Sequence, residues 1–171
     1  MHAELLILRL VHILTGIAWL GSGLFTSFFL VPALSSSPAV MGQVMAGLQR
    51  RRLFIIQPIV AALTILSGLR LLWIASAGFS ASYFATGTGR TFAISGLAAL
   101  IAFVFAFGIA RPIAARAAVI GAALSASPES SERERLVAEL DRLRRRGAIT
   151  TQLAVGFGII AASGMAIARY V

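Results

Sequence analysis

The sequence predicts an all-α, polytopic membrane protein: a four-transmembrane-helix bundle with a cytoplasmic amphipathic helix between the third and fourth spans. Three observations carry this. The chain is 58% hydrophobic and only 12% charged, about half the charged share of an ordinary soluble domain. Four apolar runs, at about 5–31, 53–75, 91–110 and 149–168, approach or exceed the roughly 20 residues that a helix needs to cross a bilayer. No strand-like alternation of useful length competes with them. The 171 residues read as a single membrane domain.

The first run carries the chain's most informative stripe. At 100° per residue, Arg9, His12, Thr15, Gly16, Trp19, Gly23 and Thr26 share one face, while the other faces are mostly Leu, Ile, Val and Phe. Hydrocarbon cannot hydrogen-bond such a stripe, so it is expected to face protein or a cavity. Pro32 and Ser35-Ser-Ser-Pro38 end the run. Val31-Pro-Ala33 has the look of a cleavage site. However, the Met-His-Ala-Glu start lacks a basic region and the apolar run is too long, so the run reads as a span and not as a cleaved signal.

In the second run Gln57, Ala61, Thr64 and Gly68 share a face suited to close helix approach. Pro58 falls in the first turns, where a missing N–H matters least. Arg70 lies off that face and reads as a snorkelling arginine; Trp73 suits an interfacial belt. The Ser-, Gly- and Thr-rich stretch 76–90 is expected to form a cap, and its Gly87-Thr-Gly-Arg90 is too short to argue phosphate binding. The third run has Ser95, Ala99, Ala102 and Ala106 on one side and is expected to stop at Arg111-Pro112. The fourth has Gly156, Gly158, Ala161, Ala162, Gly164 and Met165, a density that favours tight helix contact.

Between the third and fourth runs, a basic helix is expected over about 129–146. Glu129, Glu132 and Glu134 come early and Arg142, Arg144, Arg145 and Arg146 late, matching the helix dipole; Ser127 or Ser131 could cap it. Leu136, Leu140 and Leu143 form a narrow apolar stripe. The arginines Arg142, Arg144, Arg145 and Arg146 abut the fourth span and are expected to meet anionic lipid headgroups. The net charge is +9, carried by arginine alone. It clusters beside apolar runs, which points to a membrane surface and not to nucleic acid. Arg50, Arg51, Arg52 and the arginines from Arg111 to Arg146 lie on one side of a four-span chain; only Arg9, Arg70, Arg90 and Arg169 lie on the other. The positive-inside rule then predicts a bacterial inner-membrane protein with both termini outside.

The chain offers few groups for chemistry. With no cysteine, disulfides, thiolate metal sites and covalent c-type haem are excluded. No carboxylate lies inside a run, so there is no Asp/Glu proton relay. His12 is the one ionisable group of interest. A neutral imidazole in a helical bundle is a good axial ligand for haem iron. Gly16 and Gly23 would leave room for a macrocycle, Trp19 and Thr64 would line the pocket, and Met165, also toward the outer side, is a candidate second ligand. The alternative is a buried histidine that hydrogen-bonds another helix, through Thr64 or a backbone carbonyl.

His12-Ile-Leu-Thr-Gly-Ile-Ala-Trp19-Leu-Gly-Ser resembles the first-helix motif of several bacterial membrane families: His, six residues, Trp, then a small-residue step. It is similar to HemJ-type protoporphyrinogen oxidases, to the membrane part of PuuD-type urate oxidases and, more loosely, to CopD-type copper-resistance proteins. Arg51-Arg-Leu-Phe-Ile-Ile-Gln-Pro58 through Thr64-Ile-Leu-Ser-Gly-Leu69 also resembles the second HemJ helix. The likeness covers roughly the first 70 residues. It implies haem b held by His12, and electron transfer or oxidoreductase activity. HemJ-type proteins also use a membrane lysine, and this chain has no lysine. The CopD likeness implies copper handling, for which two histidines, four methionines and no cysteine are a poor set. Two other readings stand beside haem binding. One is a non-catalytic accessory subunit of a larger membrane complex, or a homodimer, packed through small-residue faces. The other is a small-solute or metal permease.

Overall fold

The computed structural model describes residues 2–126 and 130–171, with the side chains of 38 and 39 also outside the description. The described chain is helical. We number its helices α1 (His2–Leu34), α2 (Pro38–Arg50), α3 (Leu53–Ala75), α4 (Ala81–Phe84), α5 (Gly87–Ser125) and α6 (Ser130–Ile167), with a closing 3-10 turn at Ala168–Tyr170. Four of them, α1, α3, α5 and α6, are long and apolar enough to cross a membrane.

These helices extend well beyond the apolar runs. α5 continues through Arg111-Pro112, where the sequence predicts a stop. A proline lacks the N–H and its ring collides with the carbonyl four residues back. α5 avoids both problems with a π-helical turn at Val104–Ala110, so that Arg111 N–H reaches back to the Ala106 carbonyl. α1 passes Pro32 the same way: a π turn at Thr26–Leu30 lets Val31 N–H bond the Thr26 carbonyl. Widening the turn ahead of the ring preserves the helix, as π bulges do.

The expected basic helix is likewise not a separate element. It is the first half of α6, continuous with the fourth apolar run. Its Leu140 and Leu143 are buried against Ile120, with Ile113, Ala117, Leu124 and Leu136 around them. The apolar stripe therefore closes a helical hairpin with the far half of α5, and Arg116 bonds Glu139 across it at 2.5 Å. The proposed cap Ser127 and the acidic Glu129 lie outside the described residues; Ser131 is inside the first turn of α6.

Helix pairing is antiparallel: α1 on α3, and α5 on α6, with lighter contacts joining the pairs through α3–α5 and α1–α6. The shared core is made of small residues. Ala61, Ala98, Ala99, Ala102, Ala154 and Ala161 are buried, together with Ser67, Ser95 and Thr64. Small side chains bring helix backbones close, which is how packing gains energy where burial from lipid gains little. α1 has no fully buried residue, and Leu6, Ile7, Leu10, Ile13, Leu14 and Ile17 point outward. The chain exposes 11219 Å², against about 8,000 Å² for a compact soluble protein of its 18.0 kDa. Much of the excess is apolar and suited to lipid.

α2 lies in the connection between the first two apolar runs. It is a 13-residue helix whose Val40, Met41, Val44, Met45 and Leu48 share one face. Arg52 then turns the chain into α3 with φ at 58°. At the end of the bundle that holds the termini, Ala77, Gly78 and Phe79 all take positive φ. Ser76, which is 1% exposed, anchors this turn by accepting the Phe79 N–H on its Oγ at 2.8 Å and the Ser80 N–H on its carbonyl at 3.0 Å. Thr86 caps α5 by accepting the Gly89 N–H at 3.0 Å. Gly89 presses on the Tyr83 carbonyl, where no side chain fits. The Gly87-Thr-Gly-Arg90 stretch is thus a helix start.

Candidate functional site

The face of α1 singled out in the sequence lies against other helices from His12 onward; Arg9 is exposed. His12 meets α3. Its Nδ1 is 2.8 Å from the Thr64 carbonyl and 3.4 Å from Ser67 Oγ. The carbonyl can only accept, so Nδ1 carries the proton. Ser67 Oγ donates to the Leu63 carbonyl at 2.6 Å. Thr64 Oγ1 also bonds Thr15 Oγ1 at 2.8 Å, and Thr15 in turn donates to the Val11 carbonyl at 2.6 Å. Two turns further along, Gln57 donates to Ser22 Oγ. At the other end, Arg70 pairs with Glu4 at 2.7 Å, so the arginine read as a snorkelling side chain has a partner. The α1–α3 seam is thus polar at intervals along its length, with His12 in the middle.

The imidazole lies directly on Gly68. A methyl there would come within 2.6 Å of His12 Cε1 and 3.0 Å of Nδ1. No other residue leaves room for the ring. The sequence placed Gly68 on the packing face of its helix but did not connect it to His12. The spacing of Thr64, Ser67 and Gly68, one helical turn on one face, is the signal that could have linked them.

The remaining candidates are used in packing. Gly16 faces Thr64, whose Cγ2 is 3.6 Å from where a methyl would sit. Trp19 stands against α5, edge-on to Phe103 at 6.2 Å and tilted to Phe107 at 6.3 Å between ring centroids. Gly23 faces Val155, and Gly158 receives Leu20. These two contacts align α1 with α6 and put Met165 at the depth of His12. Met165 is half-buried. Its neighbour Gly164 packs on Ser95 of α5. Among the described residues no cluster of His, Cys, Asp or Glu could hold a metal ion. Ser27 Oγ, in the π turn of α1, is an enclosed hydroxyl without a partner.

Comparison with protein families, with curated proteins and with solved structures finds no match for this chain.

Haem b is testable against these surroundings. The donor suits iron: an Nδ1–H held by a backbone carbonyl is the arrangement that fixes a ligating histidine and leaves the Nε2 lone pair free. The surroundings do not. Gly16 and Gly23, the positions expected to leave room for a macrocycle, face Thr64 and Val155, and the His12 ring itself lies on Gly68. A cleft of about 260 Å³ lies by Glu4, Arg70 and Trp73, and another of about 240 Å³ by Leu100 and Val104. Neither touches His12.

Proposed function

We propose that this protein is a multi-pass protein of the bacterial inner membrane, with its arginine-rich end in the cytoplasm and its termini outside, and that its bundle is a non-catalytic scaffold or accessory subunit. The observation that carries this reading is the seating of His12 on Gly68. The one ionisable side chain in the middle of the apolar helices is spent on joining α1 to α3. Intramembrane ionisable residues are functional candidates by default. Here the ring has a backbone partner and a fitted glycine, and the small residues around it meet other helices. The arginine distribution supports the orientation through the positive-inside rule.

A second reading, a haem-b protein of HemJ-like type in which His12 would hold the group through Nε2, is favoured by the tautomer that the Thr64 carbonyl imposes. Haem would supply one-electron chemistry; this chain would contribute the ligand and its orientation.

Absorption spectra of the purified protein, oxidised and reduced, beside a His12→Ala variant, separate the two. The scaffold reading expects no Soret band from haem-replete cells and a loss of stability in the variant. A band that shifts on reduction and disappears in the variant overturns it in favour of haem.

A further inference from the structure

Three segments far apart in the chain bring arginines to one level at the end opposite the termini. Gln57 of α3 bonds Ser22 of α1, and Val155 of α6 faces Gly23, so Gln57 and Val155 share a level. From it, at 1.5 Å rise per residue, Arg52 lies about 8 Å and Arg146 about 14 Å toward that end. Gly147 faces Ile113 at 3.4 Å, which sets Arg111 at about 9 Å on the same scale. Arg50, Arg51, Arg52, Arg111, Arg144, Arg145 and Arg146 therefore occupy a band about 9 Å deep, comparable to one Debye length in physiological salt. Arg133 and Arg135 lie about 13–17 Å beyond it on the hairpin.

All seven belt arginines are exposed. Among the described residues, only Arg144 of these seven has an ion-pair contact, the loose one to Asp141 at 3.9 Å; Arg116, at the level of Arg144 on the same scale, is taken up by Glu139 at 2.5 Å. The helix that delivers Arg50 is α2, 13 residues long, too short to span and apolar on one face. That is the character of a helix lying in the membrane interface. The belt also begins where the apolar helices end, so it is continuous with the surface that lipid would cover.

We infer that this belt is a binding surface for anionic phospholipid headgroups, assembled from the α2–α3 corner, the middle of α5 and the middle of α6. The occupant is the lipid phosphodiester in the leaflet that surrounds the bundle. Guanidinium forks match phosphate oxygens and are more weakly hydrated than ammonium groups, which suits arginine to this contact.

The test is native mass spectrometry of the full chain in mild detergent with equal phosphatidylglycerol and phosphatidylcholine. The wild type, the Arg50→Gln/Arg51→Gln/Arg52→Gln variant, Arg111→Gln and a hairpin control, Arg133→Gln/Arg135→Gln, are compared. The wild type is expected to retain phosphatidylglycerol preferentially, and less of it as salt rises. Each belt arginine is expected to change that preference on the order of fivefold, so the triple variant loses most of it and the control keeps it. An equal loss in the control, or no preference in the wild type, overturns the belt. If the triple variant loses helical structure, Arg111→Gln decides alone: a drop near fivefold supports the surface, and an unchanged preference rejects it.

Discussion

Gly68→Ala is the substitution on which the α1–α3 seam can be judged. The added methyl would sit 2.6 Å from His12 Cε1 and 3.0 Å from Nδ1, about 1 Å inside ordinary carbon–carbon contact. Either the helices separate or the ring rotates away from the Thr64 carbonyl. Overpacking of this kind costs typically 1–3 kcal/mol. The hydrogen bond, if lost, adds about 0.6 kcal/mol and at most about 1.7, as membrane-embedded bonds do. Replacing glycine by alanine in a helix returns up to about 1 kcal/mol. The net expectation is a loss of about 1–3 kcal/mol. Gly16→Ala supplies the contrast: its methyl would meet Thr64 Cγ2 at 3.6 Å, an ordinary contact, so that variant is expected to be neutral or slightly stabilising. Removing the ring should remove the clash, so Gly68→Ala should cost little in a His12→Ala background, giving a coupling of about 2 kcal/mol. The assay is reversible unfolding in bicelles for the four members of the cycle, followed by helical circular dichroism. Additive costs, with no coupling between positions 12 and 68, would refute the seating of the ring on the glycine.

Other expectations follow from the same geometry. Thr64→Val keeps the methyl beside Gly16 and the carbonyl that His12 uses, and removes the hydroxyl that bonds Thr15 across the seam and the Val60 carbonyl within α3; a loss near 0.6 kcal/mol is expected in the same assay for the cross-helix bond. Glu4→Gln breaks a pair whose side chains are 43% and 50% exposed, so stability should fall by less than about 1 kcal/mol. Leu140→Ala empties the buried centre of the hairpin, at a cost of about 2–5 kcal/mol if the site cannot collapse. Limited proteolysis should then cut between α5 and α6 sooner, while the apolar helices stay protected. Faster cutting inside the apolar helices as well would show that the hairpin and bundle unfold together.

The four apolar helices were legible because the bilayer's thickness demands long apolar runs, and such runs are visible in composition alone. The stripe on α1 was legible because helical period places His12, Thr15, Gly16 and Trp19 together. The packing faces of α3 and α5 were visible for the same reason, through Ala61, Thr64, Ser95 and Ala102. The helix ends were not. Pro112 is a stop signal in local chemistry, and the π turn that carries α5 past it is not written in any single residue. α2 was missed because its five apolar residues are interleaved with Gly42, Gln43 and Ala46 and follow a serine-rich break, so it looks like a loop.

What the sequence by itself determined was an all-helical chain with apolar helices of spanning length, charge gathered at one end, and one histidine among the apolar runs. Period, length and charge are local properties, and one strand of text is enough to read them. The tertiary structure decided what that residue touches. His12 meets Thr64 and Gly68, more than fifty positions away, because the antiparallel register of α1 and α3 sets them side by side. That register emerges from the summed fit of many small side chains, a non-local quantity that no single stretch contains. The leucine stripe of α6 was decided in the same way, turned toward α5 instead of toward a lipid surface, because Ile113, Ala117, Ile120 and Leu124 offer it an apolar partner.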